Sequence, residues 1–212
     1  MKTEDLIQAL GADAASRPMP LGPVWGLALA GAAILAAAAF FAMLGPRPDI
    51  DQALGTMRFD FKFVVTLTLA VTALFMAGAM ARPGASTHIA RLAVLAAPAL
   101  LVAAVMLELM MLPADQWSAR WIGTNAKICL TFIPLIGLGP LAVFLAALRH
   151  AAPTRPTHAG AVAGLLAGGI AATFYAAHCI DDSPLFVATW YTIAIAGLAL
   201  VGALAGRLML RW

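Results

Sequence analysis

An all-α membrane protein, built as a bundle of six transmembrane helices with both chain ends inside the cell, is the fold class the sequence predicts. Three observations predict it. Of the 212 residues, 63% are hydrophobic and 11% charged, and the mean hydropathy is +0.92, far from the roughly 25% charged usage of soluble domains. Six runs nearly free of charge recur, at 21–46, 63–81, 92–112, 128–148, 159–180 and 183–206, and each covers a hydrocarbon core that takes about 20 helical residues. The runs are rich in Ala, Leu, Gly and Val and lack the alternation of a barrel strand, so internally hydrogen-bonded helices satisfy the backbone in lipid. The expected division is a cytoplasmic segment 1–20, a six-helix domain 21–206 and a cytoplasmic tail 207–212.

In the opening MKTEDLIQALGADAASRPMP, Thr3 can cap a short helix, Glu4 and Asp5 occupy a first turn that favours negative charge, and Gly11 is a stop. Leu6, Ile7 and Leu10 share one face. A helix of about eight residues falls below the ~12–15 that hold alone in water, so it needs a partner. Its acidic polar face suits a groove on another protein better than an anionic bilayer surface. Span one exceeds the ~7–15-residue apolar core of a signal peptide and five spans come after it, so it reads as a crossing rather than a cleavable leader.

The turns GPRPD at 45–49, RPG at 82–84 and APTRPT at 152–157 separate later spans. Span three is broken by Glu108 alone, about one turn from its outer end, where it can snorkel outward or pair with Lys127. Span four carries Pro134, Gly137, Gly139 and Pro140, which read as a plain kink or as a broken helix whose freed carbonyls line a transport path. Span five places Gly160, Gly164 and Gly168 four apart, and span six repeats the spacing with Gly202 and Gly206. Helices approach closely at such stripes, within one chain or in a homodimer. Span six opens with Asp182-Ser183-Pro184, where Asp182 or Ser183 caps and Pro184 takes the first turn. Trp117, Trp121, Trp190 and Tyr191 stand at outer ends as interface anchors.

Orientation comes from the basic residues. An inside N-terminus gives that side Lys2, Arg17, Arg82, Arg91, Arg149, Arg155, Arg207 and Arg211, against Arg47, Arg58, Lys62, Arg120 and Lys127 outside. The +3 net charge is then a matter of orientation, and the chain shows no nucleic-acid motif.

The stretch HCIDDSPLFVATWY, 178–191, is the polar interruption that asks for an explanation. Cys129 lies only about 6 Å of helix rise below the outer surface near which Cys179 emerges, so the two thiols are expected at similar depth on the oxidising face. Three readings stand together: a static disulfide, a reversible thiol pair, or a thiolate site for a soft ion such as zinc or copper, with His178, Asp181 and Asp182 as added donors. Against a ligand role, His178 has the simpler use of bonding a backbone carbonyl, and Asp182 that of a cap. Neither a CxxC pair nor any catalytic constellation is present, so no enzyme chemistry is expected. A small metal-ion or solute transporter is the alternative from another class.

The segments MKTEDLIQALGADA, NAKICLTFIPLIGLGPLAVFLAALR, APTRPTHAGAVAGLLAGG and AHCIDDSPLFVATWY together resemble the NrsF family of bacterial membrane proteins across essentially the whole chain. The resemblance implies a multi-pass inner-membrane anti-sigma factor that holds an extracytoplasmic-function (ECF) sigma factor at the cytoplasmic face and frees it under heavy-metal or oxidative stress. It places the family's paired cysteines on Cys129 and Cys179. It makes the N-terminal segment the place for sigma contact, with Leu6, Ile7 and Leu10 as the contact face, and a thiophilic metal ion a candidate signal. A separate zinc-binding soluble domain of the kind better-known anti-sigma factors carry has no counterpart here, so the basic loops at 82–91 and 149–158 are expected to share the work.

Overall fold

The computed structural model describes residues 21–210 except 83 and 152, together with residues 3, 4 and 7. Six helices are long and apolar enough to cross a membrane: α1 Leu21–Met43, α2 Met57–Met80, α3 His88–Met111, α4 Ala126–Arg149, α5 Pro156–Ala176 and α6 Pro184–Met209. Strands are absent among the described residues. Because successive helices alternate in direction, the connections 44–56, 112–125 and 177–183 gather at one end of the bundle, and the start of α1 and the end of α6 lie toward the other. Large apolar side chains such as Leu27, Ile34, Phe41 and Val71 are exposed on outward faces, as a chain solvated by hydrocarbon requires. Thr3, Glu4 and Ile7 are helical and exposed, whereas Leu6 and Leu10 of the expected contact face lie outside the described residues.

Helix α5 is the axis of the bundle, with 78% of its most apolar stretch buried against 11% for α3. Its composition explains why. A Cβ on Gly160 would strike the Gly202 carbonyl, one on Gly164 the backbone of Leu198 and Ala199, and one on Gly206 the Pro156 carbonyl. The glycine stripes of α5 and α6 therefore face each other, and the backbones meet where side chains would have kept them apart. The stripe that also suited a homodimer is occupied within the chain.

Two prolines expected to disturb α4 do not break it: the helix runs unbroken through Pro134 and Pro140, so no freed stretch of backbone lines a path. Proline does interrupt α3. Its two parts, His88–Val94 and Ala96–Met111, meet at Leu95; the first ends four residues before Pro98, whose ring conflicts with the Val94 carbonyl and which lacks an N–H. Helix α6 carries a π turn at Val187–Tyr191. This turn points Tyr191 into the core, where it is 2% exposed, and corrects its expected role as an interface anchor. Trp117 and Trp121 are exposed as expected, and their indole N–H groups donate to the Leu112 carbonyl and the Thr189 hydroxyl.

Candidate functional site

The connection 177–183 between α5 and α6 is short, and almost every polar group in it is bonded to a different part of the chain. His178 places Nδ1 at 2.9 Å from the Gly45 carbonyl, and the Arg47 N–H donates to the Ala177 carbonyl. The first is the backbone contact that a histidine at this level was expected to make. Both contacts tie the connection to the one that joins α1 and α2.

The next layer is ionic, with its two cations buried. Lys62 belongs to the second turn of α2 and is 0% exposed, and Arg47 is 8% exposed. The Lys62 ammonium donates to the Cys179 carbonyl at 2.7 Å and pairs with Asp182 Oδ1 at 2.6 Å. Arg47 pairs with Asp182 Oδ2 at 3.0 Å and Asp49 at 2.7 Å. Two cations thus face two carboxylates, and the Phe59 ring closes the cluster with Lys62 Nζ 5.1 Å and Arg47 Cζ 5.8 Å from its centroid. The hydrogen bond from Arg47 holds the Asp49 carboxyl below its ordinary value, and Asp49 then Asp182 hold the guanidinium above its own despite burial. Neither Asp182 nor a free-standing Lys62 fits the sequence expectation: the aspartate is an ion-pair partner rather than a cap, and the lysine is an interior group rather than an outer loop cation.

Asp181 reaches the other way. Its Oδ2 accepts the backbone N–H groups of Thr124 and Asn125 at 3.0 and 2.8 Å, so it pins the two residues that lead into α4. Gly123, with φ +59, makes this possible: a Cβ there would lie 2.5 Å from the Phe186 ring and 2.9 Å from the Asp181 carboxyl carbon. Helix α6 is capped by borrowed chemistry. Ser183 occupies the cap position but makes no side-chain cap bond; it donates to Glu108 Oε2 at 2.7 Å, and the Leu185 N–H donates to the same oxygen at 3.1 Å. Glu108, 4% exposed, is therefore the cap of α6, and its Oε1 faces the Arg58 guanidinium at 3.4 Å without an aligned hydrogen bond. It neither snorkels nor pairs with Lys127.

Beneath this lid lie the two cysteines, both free and both 0% exposed. Cys129, in the first turn of α4, and Cys179 belong to one buried cluster with Tyr175, Phe186, Val187 and Tyr191. The rings of Tyr175 and Tyr191 meet edge to face at 5.6 Å, and their hydroxyls find no hydrogen-bond partner. Burial pushes the Cys179 thiol up, outweighing the pull of the Lys62 ammonium, so it rests protonated and poorly nucleophilic. His178, Asp181 and Asp182 are engaged elsewhere, and no group of three or more His, Cys, Asp or Glu is arranged to hold a metal ion among the described residues. The two thiols are what remains as a soft donor set.

A family model described as "NrsF: Negative regulator of sigma F" matches residues 10–212. The chain belongs to the NrsF family. It is 35% identical over 216 residues to the anti-sigma-F factor NrsF of Caulobacter vibrioides (strain NA1000 / CB15N), covering 100% of both chains. It is 35% identical over 214 residues to the probable anti-sigma-F factor NrsF of Azospira oryzae, again covering 100% of both. No solved structure matches this NrsF family member. Among its functional candidates, sequence reasoning missed Lys62, Arg47 and Glu108 as partners of the 177–183 connection. The one signal for them was that Arg47 and Lys62 flank apolar runs and Glu108 interrupts one.

Proposed function

We propose that the protein is a multi-pass inner-membrane anti-sigma factor that holds an ECF sigma factor at its cytoplasmic face and releases it on heavy-metal or oxidative stress. Membership of a family of negative regulators of sigma F supports the regulatory role. In this reading both chain ends are cytoplasmic, the connection 177–183 faces outward, and Cys129 and Cys179 are the groups that change state, through oxidation or a bound thiophilic ion. The N-terminal segment, with Leu6, Ile7 and Leu10, contacts the sigma factor.

The observation that carries the sensing proposal is the placement of Cys179 inside the connection that α2, α3 and α4 all hold. A change at its sulfur displaces a carbonyl to which Lys62 is bonded at 2.7 Å. Repacking there shifts the balance between two helix arrangements of different affinity for the partner. Serine replacements at Cys129 and Cys179, tested in cells with a sigma-dependent reporter, are expected to uncouple metal or oxidant stress from expression. Full induction in both variants defeats the sensing claim. Deleting residues 2–12 is expected to release the sigma factor constitutively, and undiminished co-purification removes the segment from the account.

A further inference from the structure

Tyr175 and Tyr191 end beside the two cysteines, and packing alone does not account for their oxygens. Tyr175 lies in the last turn of α5, where its carbonyl accepts the Cys179 N–H at 3.1 Å, and Tyr191 closes the π turn of α6. Both side chains are buried in the cluster that encloses Cys129 and Cys179. A buried tyrosine usually finds a partner for its hydroxyl, because a buried donor left unpaired is destabilising. Here two neighbouring hydroxyls have none. Phenylalanine at both positions would keep the edge-to-face contact of the rings at 5.6 Å and avoid that penalty.

The surroundings of the hydroxyls supply a reason. Both lie within reach of the Cys179 sulfur, yet neither makes an aligned hydrogen bond. Burial raises the Cys179 thiol, and the Tyr191 hydroxyl, after the Lys62 ammonium, is among the groups that pull against it. A neutral thiol is a weak acceptor, whereas an ionised acceptor makes a bond about twice as strong. Two thiolates around one monovalent soft cation carry a net negative charge, and in a pocket closed to solvent that charge requires donors. The Lys62 ammonium is already committed to Asp182 and the Cys179 carbonyl. The tyrosine hydroxyls are uncommitted. Among the described residues no third His, Cys, Asp or Glu joins the thiols, so the donor set suits copper(I) better than four-coordinate zinc.

We propose that Tyr175 and Tyr191 are positioning residues of the thiol site, whose hydroxyl hydrogens turn onto the Cys179 sulfur when the two cysteines hold a soft cation as thiolates. Each thiol gives its proton to solvent as its sulfur–metal bond forms, and no oxidation state changes. Hydrogen bonds from outside the ligand set orient metal ligands and tune their affinity. The π turn belongs to the same device, since it aims Tyr191 at Cys179 instead of outward, and such turns are frequent at functional sites. The inference rests on the reading of the thiols as a soft-ion site.

The test uses the reduced full-length chain in mild detergent, titrated anaerobically with copper(I) against a chromophoric chelator. One ion per chain is expected, and none at that affinity when Cys129→Ser and Cys179→Ser are combined. Tyr175→Phe and Tyr191→Phe should each weaken binding about tenfold and shift the ultraviolet thiolate-to-copper absorption. The ion-free variants should melt no lower than the native chain, because the oxygens removed have no partner at rest. Native affinity in the variant carrying both tyrosine changes overturns the proposal. So does a lower melting temperature of that variant without the ion, which would show the hydroxyls bonded in the resting fold, and so does a native chain that takes up no copper(I). Serine variants that still abolish induction in cells leave the sensing reading intact in all three cases. Full induction in the serine variants, with tyrosine-dependent copper(I) binding, defeats sensing and upholds the tyrosine assignment.

Discussion

Lys62 has no contact with solvent, so its charge is tolerable only because Asp182 and the Cys179 carbonyl complete it. Removing one partner of a buried ion pair costs about 3–5 kcal/mol when the charge left behind is buried and uncompensated, as the Lys62 ammonium is without Asp182, whereas Lys62→Met leaves an Asp182 that is 22% exposed and still paired with Arg47. Asp182→Asn is therefore expected to lower the melting temperature in detergent sharply, and Lys62→Met to lower it less. Lys62→Met with Asp182→Asn should recover part of the loss, and a double variant that melts at the sum of the two single losses rejects the coupling. Cys179 supplies a pH test with a definite sign. Its thiol is raised in the folded chain above the ordinary value of 9.0 by burial, so the stability it contributes is fully present below 9.0 and is lost as pH rises toward the folded value. Melting temperature should fall on the alkaline side, and Cys179→Ser should flatten that fall.

Helix α6 is finished by a residue from α3, and the consequences are separable. Glu108→Ala leaves the Ser183 hydroxyl and the Leu185 N–H without an acceptor, at about 1–3 kcal/mol. Hydrogen exchange should accelerate at 184–187 first, and protection unchanged there counts against a capping role. Glu108→Gln keeps an acceptor and should sit between the two. At the α5–α6 contact, Gly160→Val would drive a side chain into the Gly202 carbonyl, and the helices must separate. Loss of the folded species in size-exclusion chromatography is expected, whereas Gly26→Val, where nothing stands within 4 Å, should remain folded.

At the scale of the whole molecule, the proposed topology of six crossings puts both chain ends in the cytoplasm. Reporter fusions after Trp212 and within residues 112–125 should give opposite signals, with the second beyond the inner membrane; the reverse result inverts the proposed orientation. The number of spans was legible because it is a local property, set by run length and charge density, and the polar break at HCIDDSP was visible in the same way. The partners of that break were not. Lys62 stands one residue before the apolar run 63–81 and reads there as a loop cation. Only the folding of 177–183 across the top of α2 turns it inward. Tyr191 was misread for a related reason. One added residue in the π turn rotates the remainder of the helix by about 100° relative to an unbroken α-helix, a shift that hydrophobic spacing does not announce.

The borrowed bonds also dictate when the molecule becomes complete. Asp182 and the Cys179 carbonyl emerge from the ribosome after Lys62, so the Lys62 ammonium waits without them until α5 has been made, while Arg47 already has Asp49 and Glu108 has Arg58. A nascent chain that stalls before residue 179 retains a lone ammonium in the second turn of α2, where such a group is expensive. The connection 177–183, made only after five helices, is what hides that charge.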